Sequence, residues 1–248
     1  ITTEDSPLLD YQNLSYNIVM ERLQRYGGYI LSNSVGTGKT YVAAQTAATY
    51  QRRTPNDEVL VVAPSGVVDE WESVFEEFNI EPETKFLSMG MLQKQPLEEA
   101  TDGDQIFDYR DYTDRFSIII ADEAHNYRND SNRRQNLENI IRQNPDSDVL
   151  LTSATPINIS PEDLFSLIDL FYQSGRVQQF EKAGLKSHYE TTRTELKKLD
   201  NYNNLSSSLI NNIKEIENEL SIKITWRIIQ DEFGDDLQEL AGEDVEYE

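Results

Sequence analysis

Three short runs hold the residues best suited to chemistry. Ser34-Val35-Gly36-Thr37-Gly38-Lys39-Thr40 lies between an apolar run and a helical pattern. Gly36 and Gly38 let backbone N–H groups turn inward around a phosphate, and a following helix N-terminus favours negative charge. Thr37 completes that loop, Lys39 is placed to reach β- and γ-phosphates, and Thr40 to hold Mg²⁺. The usual pattern has a further glycine five residues before the last one. Here that position is Asn33, which tolerates the same left-handed backbone. A chance glycine turn is the plain alternative, but Gly-Lys-Thr between strand and helix argues against it.

The second run is Ile118-Ile119-Ile120-Ala121-Asp122-Glu123-Ala124-His125. Three β-branched residues carry the chain to the carboxyl edge of a strand, where ligands of open α/β sheets bind. Asp122 then faces Mg²⁺ through a water, Glu123 is placed to polarise an attacking water, and His125 couples the site to its surroundings. The third run, Leu150-Leu151-Thr152-Ser153-Ala154-Thr155-Pro156, is again an apolar strand ending in small hydroxyl residues. These are expected to hydrogen-bond to His125 and report the γ-phosphate state. Alone, this run would be a simple strand-to-turn exit.

Alternating strands and helices must position these runs. Leu8, Tyr11, Leu14, Ile18 and Leu23 sit near helical spacing, and Gly27-Gly28 ends that helix. Strands are expected at 29–32, 59–63, 84–88, 116–121 and 149–152, and helices at 39–51, 66–78, 133–143 and from Pro161 to about Phe171. Val67, Trp71, Val74, Phe75 and Phe78 share one helix face, so Trp71 reads as packing. Such alternation implies a parallel, doubly wound sheet, with the strand ending at Asp122 near its centre. Residues 93–114 are polar and read as a mobile surface insertion. Residues 177–220 read as a helical hairpin packed beside the sheet or projecting from it, anchored by Leu196, Leu199, Leu209, Ile213, Ile216 and Leu220, with His188 on its surface. The expected units are 1–172, a helical extension over 173–230, and an acidic linker over 231–248 carrying nine acidic and no basic residues.

In order, the three runs resemble superfamily 2 helicases and translocases, and several stretches are closer to their Swi/Snf-type branch. Leu9-Asp10-Tyr11-Gln12 resembles that branch's first motif, whose Gln reads the adenine edge. Val61-Val62-Ala63-Pro64-Ser65 with Trp71 and Phe75 resembles its second. Asp122 to Asn129 resembles its acidic, DEAH-like box, and Thr152 to Asn158 with Pro161 to Leu167 its third motif; Trp226-Arg227 is a weak match to a later basic element. The resemblance covers about 8–172. It departs where Ser-Asn-Ser-Val precedes the glycines and where Ser-Ala-Thr replaces Gly-Thr. It implies a RecA-like phosphate-loop NTPase fold and ATP with Mg²⁺ as cofactors. Gln12 would lie at the adenine, and Ser153, Ala154 and Thr155 would act beside His125. Duplex DNA would be the partner, with Pro64, Ser65 and Arg128 as candidate contacts, and a second RecA-like lobe outside this chain would complete hydrolysis. Arg128, Arg133 and Arg134 can equally be a solvated helix face.

Composition limits the alternatives. The 248 residues include no Cys and two His, which excludes a disulfide framework, a thiolate metal site and a His-rich one. No apolar run approaches a membrane span of about 18 residues. The chain opens on Ile1 without a leader-like segment, and reads as a cytoplasmic fragment of a longer protein. Its 20 Asp and 25 Glu against 13 Arg and 9 Lys give a charge of −23, spread along the chain. Diffuse acidity repels phosphate; it fits haloadaptation, or an acidic domain whose basic partner surface lies elsewhere. A non-motor nucleotide switch or scaffold in a defence or repair complex is the main functional alternative. Glu123 favours the motor, since a switch that only binds can dispense with a water activator. An oligomeric ring ATPase fits less well, since it usually carries Asn where this chain has Ser153 to Thr155.

Overall fold

A computed structural model describes residues 8–78, 84–113, 115–153, 161–172, 176–199 and 205–222. The strands are β1 (Gly28–Leu31), β2 (Glu58–Ala63), β3 (Thr84–Ser88), β4 (Gln95–Pro96), β5 (Ile106–Phe107), β6 (Phe116–Ala121), β7 (Asp148–Thr152) and β8 (Ser221–Ile222). Six of them form one parallel sheet in the order β3-β2-β6-β7-β1-β8, so β6 is interior, as its isoleucines require. Ile118, Ile119 and Ile120 are fully buried.

Strand residues alternate between two cores, because successive side chains point to opposite faces. Val59, Val61, Ile118, Ile120 and Leu150 pack with residues of α1 (Asp10–Tyr26), α2 (Lys39–Arg53) and α3 (Val68–Glu77). Leu60, Val62, Ile119, Val149 and Leu151 share the opposite core with Leu137 and Ile140 of α4 (Asn132–Arg142) and Phe165, Ile168 and Phe171 of α5 (Pro161–Tyr172). Both faces are covered, and the doubly wound arrangement expected from the alternation is the one observed.

Three local expectations need correction. On α1 the buried stripe is Tyr11, Ser15, Val19, Leu23 and Tyr26, whereas Leu14 is exposed. Spacing of apolar residues missed it because Ser15 is buried by its bonds: its hydroxyl donates to the Tyr11 carbonyl at 3.1 Å and accepts from Asn33 Nδ2 at 3.2 Å. Residues 93–113 are a folded element. The β4 and β5 strands pair in parallel, Leu92 and Phe107 are buried, and Asn136 of α4 donates to the carbonyls of Leu92 at 3.0 Å and Lys94 at 2.9 Å. A few apolar anchors and one buried amide suffice, and composition alone cannot show that. His188, expected on the surface, is partly buried with Nε2 3.4 Å from Glu215.

Residues 177–220 contain α6 (Val177–Lys182), α7 (Lys186–Leu196) and α8 (Ser207–Leu220), and Leu196, Leu209, Ile213, Ile216 and Leu220 are buried as expected. These helices complete the second core: Phe180, Tyr189, Leu196 and Ile216 join it. Polar ties lock them on. Asp169 of α5 accepts from Tyr189 Oη at 2.7 Å and Arg193 Nη2 at 2.7 Å, and Glu219 of α8 accepts from Arg22 and Tyr26 of α1. Leu220 leads directly into β8, which pairs with β1 at the sheet edge. Replacing Arg193 by Leu leaves the Asp169 carboxylate buried without its cation. We expect a loss of about 3 kcal/mol in chemical denaturation, partly recovered in Asp169→Leu/Arg193→Leu.

Candidate active site

The strands β1, β6 and β7 end at one level. Leu31 pairs with Thr152 and Ala121 with Leu151, so the loop after β1, the acidic box after β6 and the hydroxyl segment after β7 leave the same edge. Backbone bonds continue past the strands: Asp122 N–H donates to the Val62 carbonyl at 2.8 Å and Ser153 N–H to the Leu31 carbonyl at 3.0 Å.

In the glycine loop, Gly36 and Gly38 have φ of 76° and 73°, the left-handed backbone that only glycine adopts cheaply. Asn33 is not left-handed, contrary to expectation. It is buried, and its carbonyl and that of Ser34 both accept from Lys39 Nζ at 2.9 Å. The loop therefore closes on its own lysine. Burial lowers the Lys39 pKa, and the negative charges of Glu123 and then Asp122 oppose that shift. Thr40 follows at the start of α2, whose first N–H groups have no intrahelical acceptors. Thr37 is buried, its hydroxyl donating to the Ser34 carbonyl at 2.8 Å. The Thr37 carbonyl accepts from Tyr11 Oη at 3.2 Å and Gln12 Nε2 at 3.4 Å. Gln12 Oε1 accepts from Leu9 N–H at 3.0 Å, so Gln12 is buried with both ends of its amide engaged as a strut beneath the loop.

The Asp122 carboxylate is held by donors from three directions. Oδ1 accepts from Thr152 Oγ1 at 2.6 Å and Glu123 N–H at 2.9 Å; Oδ2 accepts from Trp71 Nε1 at 3.0 Å. The hydroxyl of Thr152 thus serves Asp122 rather than His125. Glu123 sits at φ 49°, alone among the described non-glycine residues in positive φ, a conformation costing about 1–2 kcal/mol. Such strain concentrates at functional sites. Asn126 holds it: its backbone N–H and Nδ2 both donate to the Glu123 carbonyl at 2.9 Å. Asn126 Nδ2 also reaches His125 Nε2 at 3.3 Å, a contact that forms when the neutral ring carries its proton on Nδ1. That atom lies 3.1 Å from Glu123 Oε2 without the alignment of a hydrogen bond, and both atoms are otherwise unpartnered.

Of the remaining expected residues, Pro64 is partly buried and Ser65 exposed just beyond β2. Arg128 Nη1 lies 3.6 Å from Asp163. Arg134 is spent internally: Nη1 donates to the Tyr127 carbonyl at 2.7 Å and to the Ser166 carbonyl and hydroxyl at 3.0 Å. Ser153 is fully buried; Ala154, Thr155, Trp226 and Arg227 lie outside the described residues. Sequence reasoning missed Trp71 and Asn126 as parts of the site. Both stand inside recognised motifs, but only contact geometry reveals what they hold.

The donor set suits a polyphosphate with a divalent cation. A partly buried ammonium with only carbonyl acceptors and a helix N-terminus would face the charge of a phosphate, and Asp122 would offer a hard oxygen ligand beside them. Among the described residues no three His, Cys, Asp or Glu side chains converge, so a cation at Asp122 would take its other ligands from Thr40, phosphate and water.

Strand, loop and helix of this kind place the domain among the phosphate-loop nucleoside triphosphatases. Comparison narrows that class. Residues 5–158, more than half of the chain, match the family described as type III restriction enzyme, res subunit, and the chain belongs to that family. It is 34% identical over 74 residues to the SNF2 domain-containing protein CLASSY 4 of Arabidopsis thaliana, covering 30% of this chain and 6% of that one. It is 26% identical over 163 residues to the uncharacterized ATP-dependent helicase YqhH of Bacillus subtilis, covering 61% and 27%. The fold is similar to that of the Sulfolobus solfataricus SWI2/SNF2 ATPase core in complex with dsDNA: TM-score 0.57, 18% identity, 87% of this chain and 44% of that one. These likenesses agree with the helicase motifs, and the fold is that of a SWI2/SNF2 ATPase core. It spans about a quarter of the helicase relative and under half of the solved core. No described helix is long and apolar enough to cross a membrane.

The closed loop makes a test on folding alone. A Cβ on Gly38 would lie 2.2 Å from Gln12 Nε2, at a φ that side chains avoid. Gly38→Ala is expected to cost about 1–2 kcal/mol from the backbone, with a further loss from the clash. Combining it with Gln12→Ala should recover the steric part only, as read by denaturation.

Proposed function

We propose that this chain is the ATP-binding lobe of a translocase or helicase acting on DNA, duplex rather than single-stranded, and that it hydrolyses ATP with Mg²⁺ when a second RecA-like lobe completes it. The observation that carries the reading is Lys39: a partly buried ammonium held by two neutral carbonyls, with Asp122 and Glu123 close enough to act on its charge. Phosphate oxygens would replace those carbonyls. Gly36, Thr37, Gly38, Lys39 and Thr40 form the phosphate cradle, Thr40 and Asp122 hold the metal, and Glu123 orients the attacking water. His125, with Ser153, Ala154 and Thr155, couples that site to movement. The bound Mg²⁺ supplies charge neutralisation at the β- and γ-phosphates. Pro64, Ser65 and Arg128 remain the candidate DNA contacts, supported by position in the motifs. Adenine recognition by Gln12 would draw on an amide N–H now directed at the Thr37 carbonyl or Tyr11 Oη, so ATP binding would loosen the strut seen here.

Phosphoryl transfer needs added positive charge on the γ-phosphate, and an arginine supplied from outside contributes on the order of 10³-fold or more. Arg134 and Arg193 are committed to internal partners. Residues 1–248 alone should therefore show weak ATPase that DNA barely changes, and the two-lobed protein DNA-stimulated turnover. In the latter, Lys39→Ala should abolish nucleotide binding, whereas Glu123→Gln should bind ATP without turning it over. Gln12→Ala should erase preference for ATP over GTP. Motor-like DNA-stimulated turnover by residues 1–248 alone would overturn the need for a second lobe; wild-type protein that binds no ATP would overturn the reading itself.

We further read the −23 charge as haloadaptive. Screening relieves self-repulsion between surface carboxylates. The unfolding midpoint should then rise between 0.1 and 2 M KCl.

A further inference from the structure

Trp71 reads from sequence as a packing residue on α3, and it does pack: it is 1% exposed, with the Phe75 ring edge-on at 5.7 Å. Apolar packing does not require the indole N–H, which needs an acceptor when buried. Here the acceptor is Asp122 Oδ2, at 3.0 Å. We infer that Trp71 is a positioning residue that fixes which oxygen of Asp122 is presented to the metal; this rests on the proposed role of Asp122 as a metal ligand.

The inference follows from counting acceptor sites. An ionised carboxylate offers about four, two on each oxygen. Oδ1 already accepts from Thr152 Oγ1 and from Glu123 N–H. Oδ2 accepts from Trp71 Nε1, so among the described residues one site remains, and it is on Oδ2. Asp122 can then meet a cation, or a water bound to it, through one oxygen only. The three donors come from α3, from the end of β7 and from the backbone of the acidic box, so the carboxylate cannot turn without breaking bonds to separate elements. Without the indole donor, Oδ2 keeps both its sites but nothing holds the rotation of the carboxylate on that side. The metal would lose a preorganised ligand although every proposed ligand is still present.

The test uses the full-length protein with Trp71→Phe, and with Trp71 replaced site-specifically by 3-(3-benzothienyl)alanine, which keeps the bicyclic shape and puts sulfur in place of N–H. Mn²⁺ affinity is measured by electron paramagnetic resonance with a non-hydrolysable ATP analogue, alongside metal-free binding of that analogue and thermal unfolding. Groups that orient metal ligands typically contribute 10–100-fold in metal affinity. We expect Mn²⁺ to bind about 10-fold more weakly to the benzothienyl protein, with metal-free nucleotide binding and the unfolding midpoint unchanged, and the Phe variant to follow it in Mn²⁺ affinity. Unchanged Mn²⁺ affinity in the benzothienyl protein overturns the inference and makes Trp71 a packing residue, whether or not stability falls. If the unsubstituted protein shows no Mn²⁺-dependent nucleotide binding, the metal-ligand reading of Asp122 is what has failed.

Discussion

Parallel pairing of β1, β6 and β7 is the constraint on which the site depends. Lys39, Asp122 and Thr152 are separated by dozens of residues, yet their strands run side by side and stop at one level. A slip of one residue between β6 and β7 would move the Asp122 carboxylate by about 3.3 Å relative to Thr152, enough to break their hydrogen bond. It would also exchange the faces of every side chain on the strand. The two cores oppose such a slip, because helices packed on each face fit the alternation of Ile118 and Ile120 against Ile119.

The site is tied outward as firmly as it is tied together. Arg134 binds the Tyr127 carbonyl and Ser166, and the Ser166 hydroxyl donates to the Arg128 carbonyl at 2.5 Å. The turn after the acidic box is thereby fastened to α5, which begins just after the segment holding Ala154 and Thr155. Burial lowers the Arg134 pKa, but carbonyl acceptors and the charges of Glu138 and Asp169 keep the cation supported. The strained Glu123 lies at the head of that turn, so a shift there has a path to α5 through hydrogen bonds.

At the opposite end of the sheet, Arg176 shows the same economy of cations. It is 1% exposed, donates from Nε to the Gly27 carbonyl at 2.8 Å, and lies against Gly27, where a Cβ would meet its side chain at 2.9 Å. Arg176, Arg134 and Arg193 are thus cations whose burial, full or partial, strengthens the interactions they make.

Much of this was legible in the sequence. Local pattern settles β1, β2, β3, β6 and β7, the helices of the first 172 residues and the glycine loop, because β-branched runs, helical spacing and Gly-Lys-Thr each act over a few residues, whereas the two-residue strands β4, β5 and β8 carry no such pattern. The folding of residues 93–113 was not legible: Leu92, Phe107 and Asn136 meet only through the fold. Nor was the use of Ser15 and Gln12 as buried polar struts, since a polar residue looks solvent-facing until its partner is known. Residue type showed that Asp122 and Glu123 belong together. Only tertiary structure brought Trp71 and Thr152 to opposite oxygens of one carboxylate, because a hydrogen bond depends on distance and direction between residues that no local pattern relates.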